Sequence, residues 1–130
     1  MKRIVLAVAA VFVAWSALDF VIHGMILASS YEATARLWRP MDEMKLWVMH
    51  VAGLVTALAF VCIYALLVAK KGIGTGVKYG LLFGLGTGVA MGFGTYSFLP
   101  IPLYMAVAWF IGTLVETLVG GIIVGSIIRK

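Results

Sequence analysis

Charged residues are few in this chain. They make up 12% of its 130 positions, with five Asp and Glu against ten Lys and Arg. A soluble domain carries about a quarter. With 64% of the chain hydrophobic, there is too little polar surface to cover a water-exposed globule. The one cysteine, Cys62, excludes an intrachain disulfide framework and any CxxC metal motif. Set in an apolar run, it reads as a buried, inert thiol. No Ser/His/Asp or Cys/His set with recognisable spacing is present, so hydrolysis lacks its machinery and no catalytic residue is assigned. The net charge is +5. Its basic residues stand at the ends of apolar runs, not along a stripe interleaved with aromatics. That distribution belongs to a membrane protein and argues against a nucleic-acid partner.

What remains is a set of long apolar runs, each about the 20 residues that a spanning helix needs. Lys2 and Arg3 followed by an apolar run resemble a secretory signal. The run continues to Leu27, so an uncleaved span over residues 3–28 is expected. Further spans are expected over 44–69, 77–99 and 103–128. Between the first two lies a polar excursion. Ser29 and Glu32 fit a capping box, predicting a short amphipathic helix over 30–37, and Tyr31 and Trp38 suit the headgroup layer. Pro40 is placed to open the next helix, with Asp42 and Glu43 in its first turn. Residues 72–76, GIGTG, read as a flexible turn. Tyr96 and Tyr104 suit an outer aromatic belt and Tyr79 an inner one. Trp15 and Trp109 lie deeper, in the core or walling a ligand cavity. The fold class predicted is all-α: a polytopic membrane protein, one domain over 1–130, forming a four-transmembrane-helix up-down bundle with a short amphipathic periplasmic helix.

Glycine is abundant where polar residues are not. Gly80, Gly84, Gly88 and Gly92 recur every four residues, a spacing that lets two helix backbones approach closely in lipid. The contact is expected either within the chain or between two copies. A phosphate-loop reading lacks the strand–turn–helix context it needs. Lys2, Arg3, Lys70, Lys71, Lys78, Arg129 and Lys130 fall on one side of the predicted bundle and Arg36, Arg39 and Lys45 on the other. This asymmetry predicts a multi-pass protein with both termini cytoplasmic, and the small size and glycine-rich packing suggest the bacterial inner (cytoplasmic) membrane.

Four polar residues inside the spans are costly in lipid and should face protein, water or a ligand. Asp19 and His23, in LDFVIHG, are one helical turn apart. At a rise of about 1.5 Å per residue, His23 and His50 lie roughly 7 Å from the outer ends of their helices and Asp19 roughly 13 Å. Glu116 lies roughly 21 Å in, on a deeper level of its own. A water-linked chain from the histidines through Asp19 to Glu116, with Thr113 among its hydroxyls, is the expected arrangement.

Three functional readings follow. In the leading one, the chain is an accessory or structural subunit of a larger membrane complex with a polar intramembrane site. In the second, His23 and His50, helped by Asp19 or Glu43, bind a transition metal or a haem. In the third, Asp19, Glu116 and Thr113 form the proton or cation path of a small transporter acting as a homodimer. The partners expected are the bilayer and either a second copy or a larger complex. Through DFVIHG, LWRPMDEMKLW, GLLFGLGTG and GTLVE, the chain resembles small bacterial four-span integral membrane proteins of unknown function. The resemblance implies the four-span fold and carries no catalytic residue with it.

Overall fold

Backbone polar groups in so apolar a chain must be paired locally, and helices do this. The computed structural model describes residues 1–129, and every regular element among them is helical. α1 covers Lys2–Val21 and continues through a π-helical turn, Ile22–Ile26. α2 is short, Ala28–Ala33. α3 covers Leu46–Leu67. α4 covers Ile73–Val89 and continues through a second π turn, Ala90–Gly94. α5 covers Leu103–Ile127.

Three helices are long and apolar enough to cross a membrane: Lys2–Ile26, Leu46–Leu67 and Leu103–Ile127. The expected third span does not join them. Glycine fills eight positions from 74 to 94, and Lys78 adds a charge. The residues that let α4 pack closely also dilute its apolar character.

That packing is directed at α5. Gly76, Gly80, Gly84, Gly88 and Gly92 are all buried. A Cβ on Gly76, Gly80 or Gly92 would collide with the carbonyl oxygens of Gly121, Thr117 and Ala106 respectively. On α5, a Cβ on Gly125 would stand 2.6 Å from the Gly72 carbonyl oxygen. The glycine face is therefore spent inside the chain, which removes it as a contact between copies. Steps of four residues overshoot one α-helical turn, so such a stripe drifts around its helix. The π turn holds more residues per turn and reverses the drift at Gly92.

α1 packs against α5 and α3. All four long helices meet in one cluster near the termini: Ala7 and Val11 of α1, Phe60, Val61 and Tyr64 of α3, and Val124 of α5, with Tyr79 and Phe83 of α4 against them. The Arg3 guanidinium donates to the Arg129 carbonyl at 3.1 Å, so both described ends lie together. At the far end, Leu27, Ile101, Met105 and Trp109 form a second cluster with Tyr31, Leu37 and Trp38. The excursion thus lies across the first turns of α5. The first half of α3 joins neither cluster, and its side chains from Leu46 to Val51 are exposed.

Several local expectations are corrected. The excursion helix is not continuous over 30–37. α2 stops at Ala33, a 3₁₀ turn follows over Ala35–Leu37, and Thr34 between them turns its hydroxyl onto the Ser30 carbonyl at 2.8 Å. Ser29 caps nothing, because the chain is still coiled through Leu27 and the Tyr31 N–H already bonds Leu27 O at 3.0 Å. Pro40 does not open α3. Asp42 and Glu43 sit in a separate 3₁₀ turn, Met44 is extended, and α3 begins at Leu46. Of the expected 72–76 turn only Gly72 lies outside helix, since α4 begins at Ile73 and Gly76 is packed against Gly121 and Gly125 of α5. Gly72, at φ 129°, makes the reversal that a side chain would oppose. Tyr64 grips it from both sides: its hydroxyl donates to Gly72 O and accepts the Gly72 N–H, each at 3.0 Å. The Lys71 ammonium closes α3 by donating to the carbonyls of Tyr64, Ala65 and Val68. Tyr79 is in the four-helix cluster, not at an interface, and donates to the Phe60 carbonyl at 2.7 Å.

The α4–α5 contact generates a paired prediction. Gly121→Ala drives a methyl into the Gly76 carbonyl and should lower stability by about 1–3 kcal/mol, the usual range for overpacking. Gly86→Ala meets nothing within 4 Å and should be neutral or stabilising by up to about 1 kcal/mol, since alanine favours helix over glycine. Reversible unfolding in detergent micelles, followed by circular dichroism, measures both.

Candidate intramembrane polar site

Trp15, Asp19 and His23 follow one another at four-residue intervals along α1 and its π turn. Trp15 touches α5 first. Its indole N–H donates to the Glu116 backbone carbonyl at 2.6 Å. Gly120 leaves room for the ring, because a Cβ there would lie 3.1 Å from atoms of both Trp15 and Phe60. One turn along α1, Asp19 lies beside Glu116, close enough for the two carboxyls to interact. Glu116 Oε1 is buried and has no hydrogen-bond partner among the described residues.

The line continues outward from Asp19. His23 Nε2 stands 3.7 Å from Asp19 Oδ1, an ion-pair distance too long for a direct hydrogen bond. His23 Nδ1 is 2.6 Å from the Tyr31 hydroxyl oxygen. That oxygen also accepts the Trp109 indole N–H at 2.9 Å. With Trp109 donating, the phenol's own proton is directed at His23 Nδ1, which assigns the neutral imidazole's proton to Nε2, facing Asp19. Burial holds the Tyr31 phenol above its ordinary range. The Trp109 N–H opposes this and the nearby Asp19 charge adds to it. Glu116, Asp19, His23 and Tyr31 therefore form one line of protonatable groups, from the interior of the helix pair to the excursion.

Other expected members lie elsewhere. His50 shares a face of α3 with Ala57, Val61 and Tyr64, at spacings of seven, eleven and fourteen. It is nevertheless exposed, because that half of α3 stands clear of the bundle. Glu43 is exposed on its 3₁₀ turn. Among the described residues no three His, Cys, Asp or Glu side chains come together in an arrangement able to hold a metal ion. The set His23, His50, Asp19 and Glu43 is thus not assembled. The matched depths of the two histidines assumed that α1 and α3 pack along their whole length. Thr113 is half-buried beside Gly88, on the α4 side of α5 and outside the line.

Glu116 is also not on a separate, deeper level. The first turns of α5, carrying Met105 and Trp109, are covered by the excursion and not by α1. Counting each helix from its own end therefore set the two carboxyls too far apart. Tyr31, read as a headgroup aromatic, is a member of the line, and Trp15 and Trp109 are its indole donors. The signal for Trp15 was present as one more four-residue step before Asp19. No local pattern marked Tyr31.

The chain is thus an all-helical protein with three helices able to cross a membrane and a polar line between α1 and α5. Comparison with protein-family models, with curated proteins and with solved structures gives no match.

Tyr31→Phe removes one hydroxyl that serves both His23 and Trp109. It should cost about 1–3 kcal/mol at neutral pH, as expected for a half-buried donor and acceptor losing a shared partner. The pH dependence has a definite sign. Because folding raises the Tyr31 proton affinity, its contribution is complete below the ordinary value of 10.0 and is lost as pH rises above it. Wild-type stability should fall more steeply above pH 10.0 than that of Tyr31→Phe, measured by denaturant titration at a series of pH values.

Proposed function

We propose that the chain is a single-domain, four-span integral membrane protein and a subunit of a larger membrane assembly, whose Glu116–Asp19–His23 site is completed by a partner helix. Connectivity supports the fourth crossing. The contacts of Arg3 with Arg129 and Trp15 with Glu116 make α1 and α5 antiparallel, and α3 runs in the same sense as α5. α4 joins the end of α3 to the start of α5, so it must return across whatever thickness its neighbours cross. The basic residues gathered at the termini end support a cytoplasmic position for that end.

One observation carries the subunit reading. Asp19 lies within an apolar segment able to span a membrane, yet its side chain is 57% exposed. A carboxylate facing lipid near the middle of a span costs about 2.5–3.5 kcal/mol by insertion scales. Sharing a proton with Glu116 removes one charge, and cover by protein removes the contact with lipid. α3 does not supply that cover along its first half, so a second copy or a different subunit does. The partner's helix brings a hydrogen-bonding group to Asp19. The continuity of the line through His23 to Tyr31 favours a second reading: that the carboxyl pair takes up a proton and exchanges it with the excursion side.

Extraction of the native membrane with a disc-forming polymer, without detergent, tests the subunit reading. Mass measurement should find the chain in an assembly heavier than one copy, and Asp19→Leu should release it as a single chain. A lone wild-type chain would sink the proposal. For topology, a fluorescent protein fused to the C-terminus should fluoresce, while alkaline phosphatase inserted in the 95–102 connection should be active.

A further inference from the structure

The excursion and the unpacked half of α3 border an open groove of about 510 Å³, within the roughly 300–1,000 Å³ range of small-molecule sites. Its α3 wall is formed by Lys45, at the helix start, and by Val48, Met49 and Ala52. They recur at i, i+3, i+4 and i+7, so they make one face. Trp38, Arg39 and Met44 complete its lining from the excursion side. The groove is therefore graded. Two cations lie at the end nearest the excursion, and apolar side chains continue down the helix.

Both cations are available. Arg39 and Lys45 are exposed, and neither forms an ion pair among the described residues. Asp42 and Glu43 lie between them in sequence but line no part of the groove. The excursion side is preformed. The Trp38 indole N–H donates to Thr34 Oγ1 at 2.9 Å, and its ring meets Tyr31 edge-on at 5.5 Å between centroids. Pro40 is itself extended, at φ −55° and ψ 152°, and leads into the 3₁₀ turn Met41–Glu43. Tryptophan and basic residues at the end of an apolar helix mark the depth of lipid phosphates.

We propose that this groove binds one anionic phospholipid, its phosphate between Arg39 and Lys45 and one acyl chain along Val48, Met49 and Ala52. Charge complementarity selects this occupant. Two unpaired cations above an apolar face match a phosphate above a hydrocarbon tail. A zwitterionic headgroup brings a positive charge of its own toward them and neutralises the advantage.

The test uses the full-length chain in nanodiscs of equal phosphatidylcholine and phosphatidylglycerol, with native mass spectrometry of the ejected protein. The expected result is one phosphatidylglycerol retained per chain in preference to phosphatidylcholine. Arg39→Gln and Lys45→Gln should each lower its retention about fivefold, the effect of one basic residue at a membrane surface. Ala52→Trp fills the apolar end without changing charge and should lower retention as well. All three positions are exposed, so the fold has no packing to lose there, and an unchanged helical circular dichroism spectrum verifies this. Equal retention of the two lipids by the wild-type chain would overturn the proposal without recourse to any variant. Preference that survives Ala52→Trp would assign the effect to surface charge and overturn the groove. A bound second protein chain in place of lipid, displaced by Ala52→Trp, would likewise overturn it.

Discussion

The close approach of α4 to α5 is the constraint on which the remaining structure depends. Where carbonyl oxygens of one helix occupy the space that a Cβ of the other would need, at Gly76, Gly80 and Gly92, the two helices have one workable register. Lipid tails compete poorly with such a contact, because association in a membrane is driven by packing and not by expulsion of water. This register fixes the rotation of α5, and with it the faces offered to every other element. Glu116 and Gly120 are turned toward α1, while Met105 and Trp109 are turned toward the excursion.

From that arrangement the polar line follows. Gly120 admits the Trp15 ring, Trp15 sets the height of α1 against α5, and this height brings Asp19 to Glu116. The π turn after Val21 then begins the change of direction that carries the chain back over α5. π turns are frequent at functional positions because they re-aim side chains within a helix, and His23 lies within this one. The result is that a carboxyl pair between two helices lies in line with one imidazole and with a phenol on a third element.

The excursion is not a passive connection. Tyr31, Trp38 and Trp109 pack in that order with their planes inclined, at 5.5 and 6.0 Å between ring centroids, and their polar atoms are satisfied by Thr34, His23 and one another. This aromatic cluster covers the Met105 and Trp109 face of the first turns of α5, while Gly92 packs on Ala106 beside it. It also leaves the first half of α3 unsupported. That openness is shared by the Asp19 flank of α1 and by the groove beneath Arg39. In the proposed assembly, one is filled by a partner group able to hydrogen-bond and the other by a hydrocarbon chain below an anion.

Much of this was legible in the residues. Scarce charge and long apolar runs dictate membrane-length helices, and the four-residue glycine spacing marks a close helix contact wherever its partner lies. The i, i+4 relation of Asp19 and His23 requires only helix geometry, and survives the onset of the π turn. Which helix receives the glycines, where each helix ends relative to its neighbours, and whether α3 lies along α1 for its whole length are not local properties. Depth counted from loop ends paired His23 with His50 and isolated Glu116. The excursion over α5 and the free half of α3 reversed both assignments. The sequence alone determined that the chain is helical, apolar and in need of partners for a few buried polar groups, because those follow from backbone hydrogen bonding and desolvation. Only the tertiary structure decided that Asp19 meets Glu116 and that Tyr31 completes the line, because both depend on the register at which two glycine-faced helices can touch.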